Sequence, residues 1–113
     1  MDKNDITFVR RCISDNDMHR FYIWRKWRKK RAEVLKLDKY ECQRCKELKQ
    51  YTRATTVHHV RSVKQYPHYA LEIYITIKNK KIRNLISLCH HCHEEVHDNR
   101  IKTVAQLTEE RWD

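Results

Sequence analysis

Two Cys-x-x-Cys pairs, Cys42/Cys45 and Cys89/Cys92, limit what this chain can fold into more than any other feature, because 44 positions separate Cys45 from Cys89. Four thiolates complete the tetrahedral shell of Zn²⁺ and leave no open position, so a site built from all four is closed and structural. Such a staple draws the two ends of the intervening segment together. A redox dithiol is the competing reading for either pair alone; two matched pairs in a reducing compartment favour zinc over disulfides. The fifth cysteine, Cys12, is expected to be a free thiol. At 113 residues the chain is expected to be one domain with a modest core, where a structural metal helps to offset chain entropy.

The second pair is interleaved with histidines, in Cys89-His90-His91-Cys92-His93-Glu94-Glu95-Val96-His97. His93 and His97, spaced i, i+4, share one face of a helix and can point at one ion. Upstream, His58-His59 lies in the β-branched run Thr55-Thr56-Val57-His58-His59-Val60, the composition of a strand. Neighbours on a strand project to opposite faces unless the backbone bends, so one histidine can bind metal while the other moves a proton. Asn84 heads a second expected strand, Asn84 to Cys89, that runs directly into the Cys/His segment. An imidazole-ligated divalent ion with an open position is the ordinary design of a catalytic metal. His90 and His91 are expected as exposed neighbours.

The order His-His, Asn, His-x-x-x-His inside a Cys-x-x-Cys frame resembles the HNH nuclease family, over about residues 21–113 and most specifically over 42–97. The resemblance implies a small α+β fold: a ββα-metal (His-Me) finger with an N-terminal basic amphipathic helix, stapled by zinc on Cys42, Cys45, Cys89 and Cys92. It implies a metal-dependent DNA endonuclease in which His58, His93 and His97 hold the catalytic ion. His59 is then the general base, and Asn84 holds the loop that orients it. Many four-cysteine members carry Asp where this chain has His58. A three-histidine set is softer than one with a carboxylate, which leaves Mg²⁺, Mn²⁺, Ni²⁺ and Zn²⁺ as candidate ions. The four-cysteine frame is similar to HNH proteins encoded by bacteriophages. That setting implies the host cytoplasm, and a role beside phage packaging proteins or in homing or restriction-like cutting.

Charge points the same way. Lys and Arg number 25 against 15 Asp and Glu, leaving +10, the balance of a protein that meets a polyanion such as DNA. Much of this charge lies in Phe21 to Leu37, where Phe21, Trp24, Trp27, Val34 and Leu35 recur at helical spacing. The other face of that helix carries Arg25, Lys26, Arg28, Lys29, Lys30 and Arg31. The aromatics are expected to pack on the body and the basic face to lie along phosphates.

Residues 1–20 mix charge with scattered Ile6, Phe8, Val9 and Ile13, the composition of a flexible arm preceding a nuclease domain at 21–113. Pro67 is placed to open a short helix carrying Tyr69, Ala70, Leu71 and Tyr74, and Lys78-Asn79-Lys80-Lys81 reads as a basic loop. Trp112 is expected to pack on the body. No apolar run is long enough to span a bilayer, and no signal-peptide core follows Met1. The absence of glycine excludes a glycine-rich phosphate loop. The alternative reading is a non-catalytic, zinc-stabilised DNA-binding module. Such a module uses the cysteines and the charge but has no need of the histidine order. Nothing in the sequence specifies an oligomeric state.

Overall fold

A computed structural model describes the backbone of residues 1–103 and the side chains through Val96. Its elements run α1 (Lys3–Ser14), α2 (Met18–Tyr22), α3 (Arg25–Leu37), α4 (Gln43–Glu47), β1 (Thr56–His59), a 3-10 turn (Pro67–Tyr69), β2 (Tyr74–Ile77), β3 (Lys80–Arg83), β4 (Leu85–Leu88) and α5 (His90–Thr103). The chain is a small α+β protein, as the sequence implies.

The centre is the antiparallel pair β1–β4, in register Thr56↔Leu88, Val57↔Ser87, His58↔Ile86 and His59↔Leu85. A strand's period of two divides these residues between two faces. Val57, His59, Leu85 and Ser87 share one face. Val57 and Leu85 belong there to the larger core, with Phe21, Trp27, Val34 and Leu35. Thr56, His58, Ile86 and Leu88 share the other, where Leu88 and Ile86 pack with the four cysteines and Val96. Only Cys89 separates β4 from α5, so β1, β4 and α5 form a contiguous ββα unit.

Residues 1–20 are not the flexible arm expected. Asp2 caps α1 by accepting a 2.8 Å hydrogen bond from the Asp5 amide, a cap worth about 1 kcal/mol. Val9 and Cys12 are fully buried at helical spacing, and the Phe8 ring lies 4.5 Å from Trp24. Asp5, on the same buried stripe, is matched by Lys26 at 2.6 Å. The expected helix from Phe21 is also divided: α2 ends at Tyr22, and Trp24 occupies the N-cap of α3.

The C-terminal end of α3 is locked to the sheet through Asp38. Its carboxylate accepts a two-pronged contact from Arg83 (3.0 and 2.8 Å) and a hydrogen bond from the Ser87 amide (3.1 Å). A forked guanidinium–carboxylate pair fixes direction as well as distance.

Pro67 opens a turn of three residues, and Tyr74 lies outside it in β2. The stretch read as a basic loop is the tip of a second hairpin, β2–β3. Lys78 (φ 51°) and Asn79 (φ 65°) are both left-handed, the conformation a two-residue hairpin turn of type I′ requires. Trp112 lies outside the described residues.

Candidate active site and metal centre

The four cysteines come together from two knuckles of the same construction. Cys42 stands at the N-cap of α4 and accepts from the Cys45 amide at 3.5 Å; Cys89 accepts from the Cys92 amide at the same distance. All four Sγ atoms lie within 4.8 Å of one another, with Cys45 to Cys89 at 3.9 Å and Cys45 to Cys92 at 3.6 Å. Sulfurs about 2.3 Å from a shared tetrahedral zinc sit roughly 3.8 Å apart, so the set is sized for an ion rather than for a disulfide.

Protonation supports the fit. Burial pushes the Cys42 thiol up, but amide hydrogen bonds from Cys45 and Cys89, joined by the neighbouring thiols, outweigh it and bring Cys42 down to about 7. Burial and the adjoining thiols instead raise Cys92, and burial raises Cys89. One thiolate is readily accommodated in this pocket, whereas four need a cation among them.

The histidines divide by strand face. His58 is 4% exposed on the face toward α5, and His93, in the first turns of that helix, is 6% exposed. Their ring centroids are 6.0 Å apart, edge to face at 73°, and His58 Nδ1 and His93 Nε2 are both withdrawn from solvent. With metal–nitrogen bonds of about 2.1 Å, two rings on one ion have centroids roughly 4.5–5.5 Å apart, so the pair lies within about 1 Å of the separation that a shared divalent cation sets. The His97 side chain lies outside the described residues. His90 and His91 are exposed and face Glu94 and Glu95 (3.8 and 3.1 Å), away from the site.

His59 points the other way. It is 3% exposed and stacks on Trp27 (4.6 Å, 29°), with the Phe21 ring at 5.9 Å. Its Nε2 lies 3.0 Å from the Ala70 carbonyl. A carbonyl only accepts, so His59 Nε2 carries a proton and donates it to Ala70. The loop supplying that carbonyl is fastened by Asn84, which is fully buried. Asn84 Oδ1 accepts from the Arg61 amide at 2.9 Å, and its Nδ2 donates to the carbonyls of Tyr69 (2.9 Å) and Glu72 (3.1 Å). His59 and Asn84 therefore grip one loop, at residues 61–72.

Two parts of this environment escaped the sequence reading. Trp27 carried a helical-spacing signal for burial, with nothing to say that it lies under His59. Ala70 acts through its backbone, which has no residue signature. On the outer side of α3, Arg25, Arg28, Lys29 and Arg31 line an open depression of about 670 Å³ with Ile23.

A family model described as HNH endonuclease matches residues 42–99. Among solved structures, the HNH endonuclease of the deep-sea thermophilic bacteriophage GVE2, crystallised with manganese ion, is similar at a TM-score of 0.66 and 28% identity, over 91% of this chain and 98% of that one. No curated protein matches.

Proposed function

Given that the chain belongs to the HNH endonuclease family and is an endonuclease, we propose that it hydrolyses DNA phosphodiester bonds with His59 as general base and a divalent ion on His58, His93 and His97. The observation that carries this reading is the His58–His93 pair, whose rings meet edge to face 6.0 Å apart between β1 and α5. His59 ends β1 beside it, its Nε2 donating to the Ala70 carbonyl on the other face.

The chain's own groups account for the proton and the geometry. His59 takes a proton from water admitted to its ring, which is 3% exposed in this structure, and the resulting hydroxide attacks phosphorus. The 3′ oxygen departs and is protonated by solvent, leaving a 5′ phosphate and a 3′ hydroxyl. The ion, when bound, supplies positive charge for the phosphate and the leaving oxygen. Asn84 acts at one remove, by holding the loop whose carbonyl orients His59. Trp27 limits rotation of the same ring from below. Arg25, Arg28 and Lys29, on the outer side of α3, contact phosphates and position the duplex. Zinc occupies the four-cysteine site as a structural ion. The catalytic ion is Mg²⁺, Mn²⁺, Ni²⁺ or Zn²⁺, and the manganese in the GVE2 enzyme structure favours testing Mn²⁺ first. If it too is phage-encoded, the protein works in the cytoplasm of an infected host, beside packaging proteins or in homing or restriction-like cutting.

The test is incubation of supercoiled plasmid with zinc-loaded protein and a panel of divalent ions. Nicking by the wild type and a loss of at least a hundredfold in His59→Ala are expected. Nicking that survives His59→Ala removes the base assignment. Absence of nicking with every ion favours a non-catalytic DNA-binding module.

A further inference from the structure

The β2–β3 hairpin forms a two-stranded sheet of its own, unpaired with β1–β4. Its register sets Tyr74, Thr76, Lys81 and Arg83 on one face and Ile75, Ile77, Lys80 and Ile82 on the other. Ile75 is buried against the body, and Ile82 is half-buried beside it. Tyr74, Thr76 and Lys81 lie exposed on the opposite face, with the Lys81 ammonium 4.4 Å over the Tyr74 ring. The tip adds exposed Lys78, Asn79 and Lys80, and no acidic residue occurs from Tyr74 to Arg83.

An apolar underside is all that stability requires of such a ribbon. Charge on an edge strand also discourages unwanted pairing, but either sign does so. A face that is wholly cationic, aromatic and hydroxylic matches a polyanion that offers hydrogen-bonding groups.

The root of the ribbon is as informative as its face. The Asn84 amide donates to the Ile73 carbonyl at 2.7 Å, and the Leu85 amide approaches the same oxygen at 3.3 Å. Asn84 thus pins the base of the ribbon and, through its side chain, the loop that holds His59. Ribbon and histidine are braced against one residue.

Building on the nuclease reading above, we propose that the β2–β3 ribbon is a duplex-DNA contact that enters the major groove and sets the position of the cut relative to it. Two strands about 4.8 Å apart, with their side chains, match a groove about 12 Å wide and are too broad for the minor groove at about 6 Å. Thr76 and Asn79 face base edges, Lys78 and Lys81 take phosphates or guanine acceptors, and Lys80, on the underside at the tip, reaches a flanking phosphate.

The triple variant Lys78→Ala/Lys80→Ala/Lys81→Ala and the single variant Asn79→Gly, which keeps the left-handed turn, separate these roles. Binding is measured by fluorescence anisotropy on a mixed-sequence duplex, with zinc-loaded full chain and no added catalytic ion. It therefore reads out whether or not the protein cuts. The triple variant is expected to bind about tenfold more weakly, with a salt dependence shallower by about 2 to 3. Asn79→Gly is expected to redistribute cut positions on end-labelled duplex in the presence of the active ion. Unchanged affinity and salt slope in the triple variant overturn the ribbon contact even if the protein cleaves. An unchanged cut pattern in Asn79→Gly overturns the positioning role. A wild type that binds through the ribbon without cutting overturns the nuclease reading alone.

Discussion

Adjacent residues with different surroundings are the main device at the smallest scale. His58 and His59 differ by one position and face different neighbours, because the strand's alternation sends one toward α5 and the other toward Trp27. Asn84 shows how tightly such a device is braced. Its side-chain amide, fully buried, donates to two carbonyls. Asn84→Asp keeps the shape but replaces a double donor with a carboxylate facing two acceptors. A destabilisation of about 3 kcal/mol is expected, read as a lowered midpoint in urea denaturation. Cleavage should fall further than stability, because the loop holding the Ala70 carbonyl loosens. A variant as stable as the wild type would show that these two bonds are not what holds the loop.

Among elements, α1 and the β2–β3 ribbon mark the limit of what sequence patterns disclose. The convergence of the four cysteines was legible because spacing encodes it directly: two residues between cysteines make a knuckle, and His93 follows Cys92 without a gap. The strand around His58 was legible from β-branched composition. The helix at Lys3–Ser14 was not, because its buried stripe runs through Asp5, whose partner Lys26 is distant in sequence. The ribbon was missed because its turn uses Lys78-Asn79 where a glycine would have announced it. The break at Ile23–Trp24 has no proline or glycine to signal it. The integration of α1 is directly testable. Val9→Asp places an unpaired charge where no surface is exposed and is expected to cost about 3 kcal/mol or more in thermal or urea unfolding. A dangling arm would tolerate the change.

For the molecule as a whole, two cores of different chemistry share one thin sheet, an apolar one against Trp27 and a sulfur-lined one against α5. The second consists largely of thiols, so an ion held by them would supply most of its cohesion. Extraction with a strong chelator at neutral pH is therefore expected to lower the unfolding midpoint steeply and to abolish near-ultraviolet dichroism. The zinc contribution is on the order of 10 kcal/mol, and an unchanged melting curve would refute the closed four-sulfur site. The chain also has no glycine, yet Asn16, Lys39, Tyr40, Lys49, Lys78 and Asn79 all adopt positive φ. A side chain with a Cβ pays about 1 kcal/mol to sit there. That expense is recoverable: Lys39→Gly and Lys49→Gly should each raise the melting temperature by a few degrees in differential scanning calorimetry. The fold thus holds a reserve of heat resistance, open to protein engineers at turns remote from the histidines.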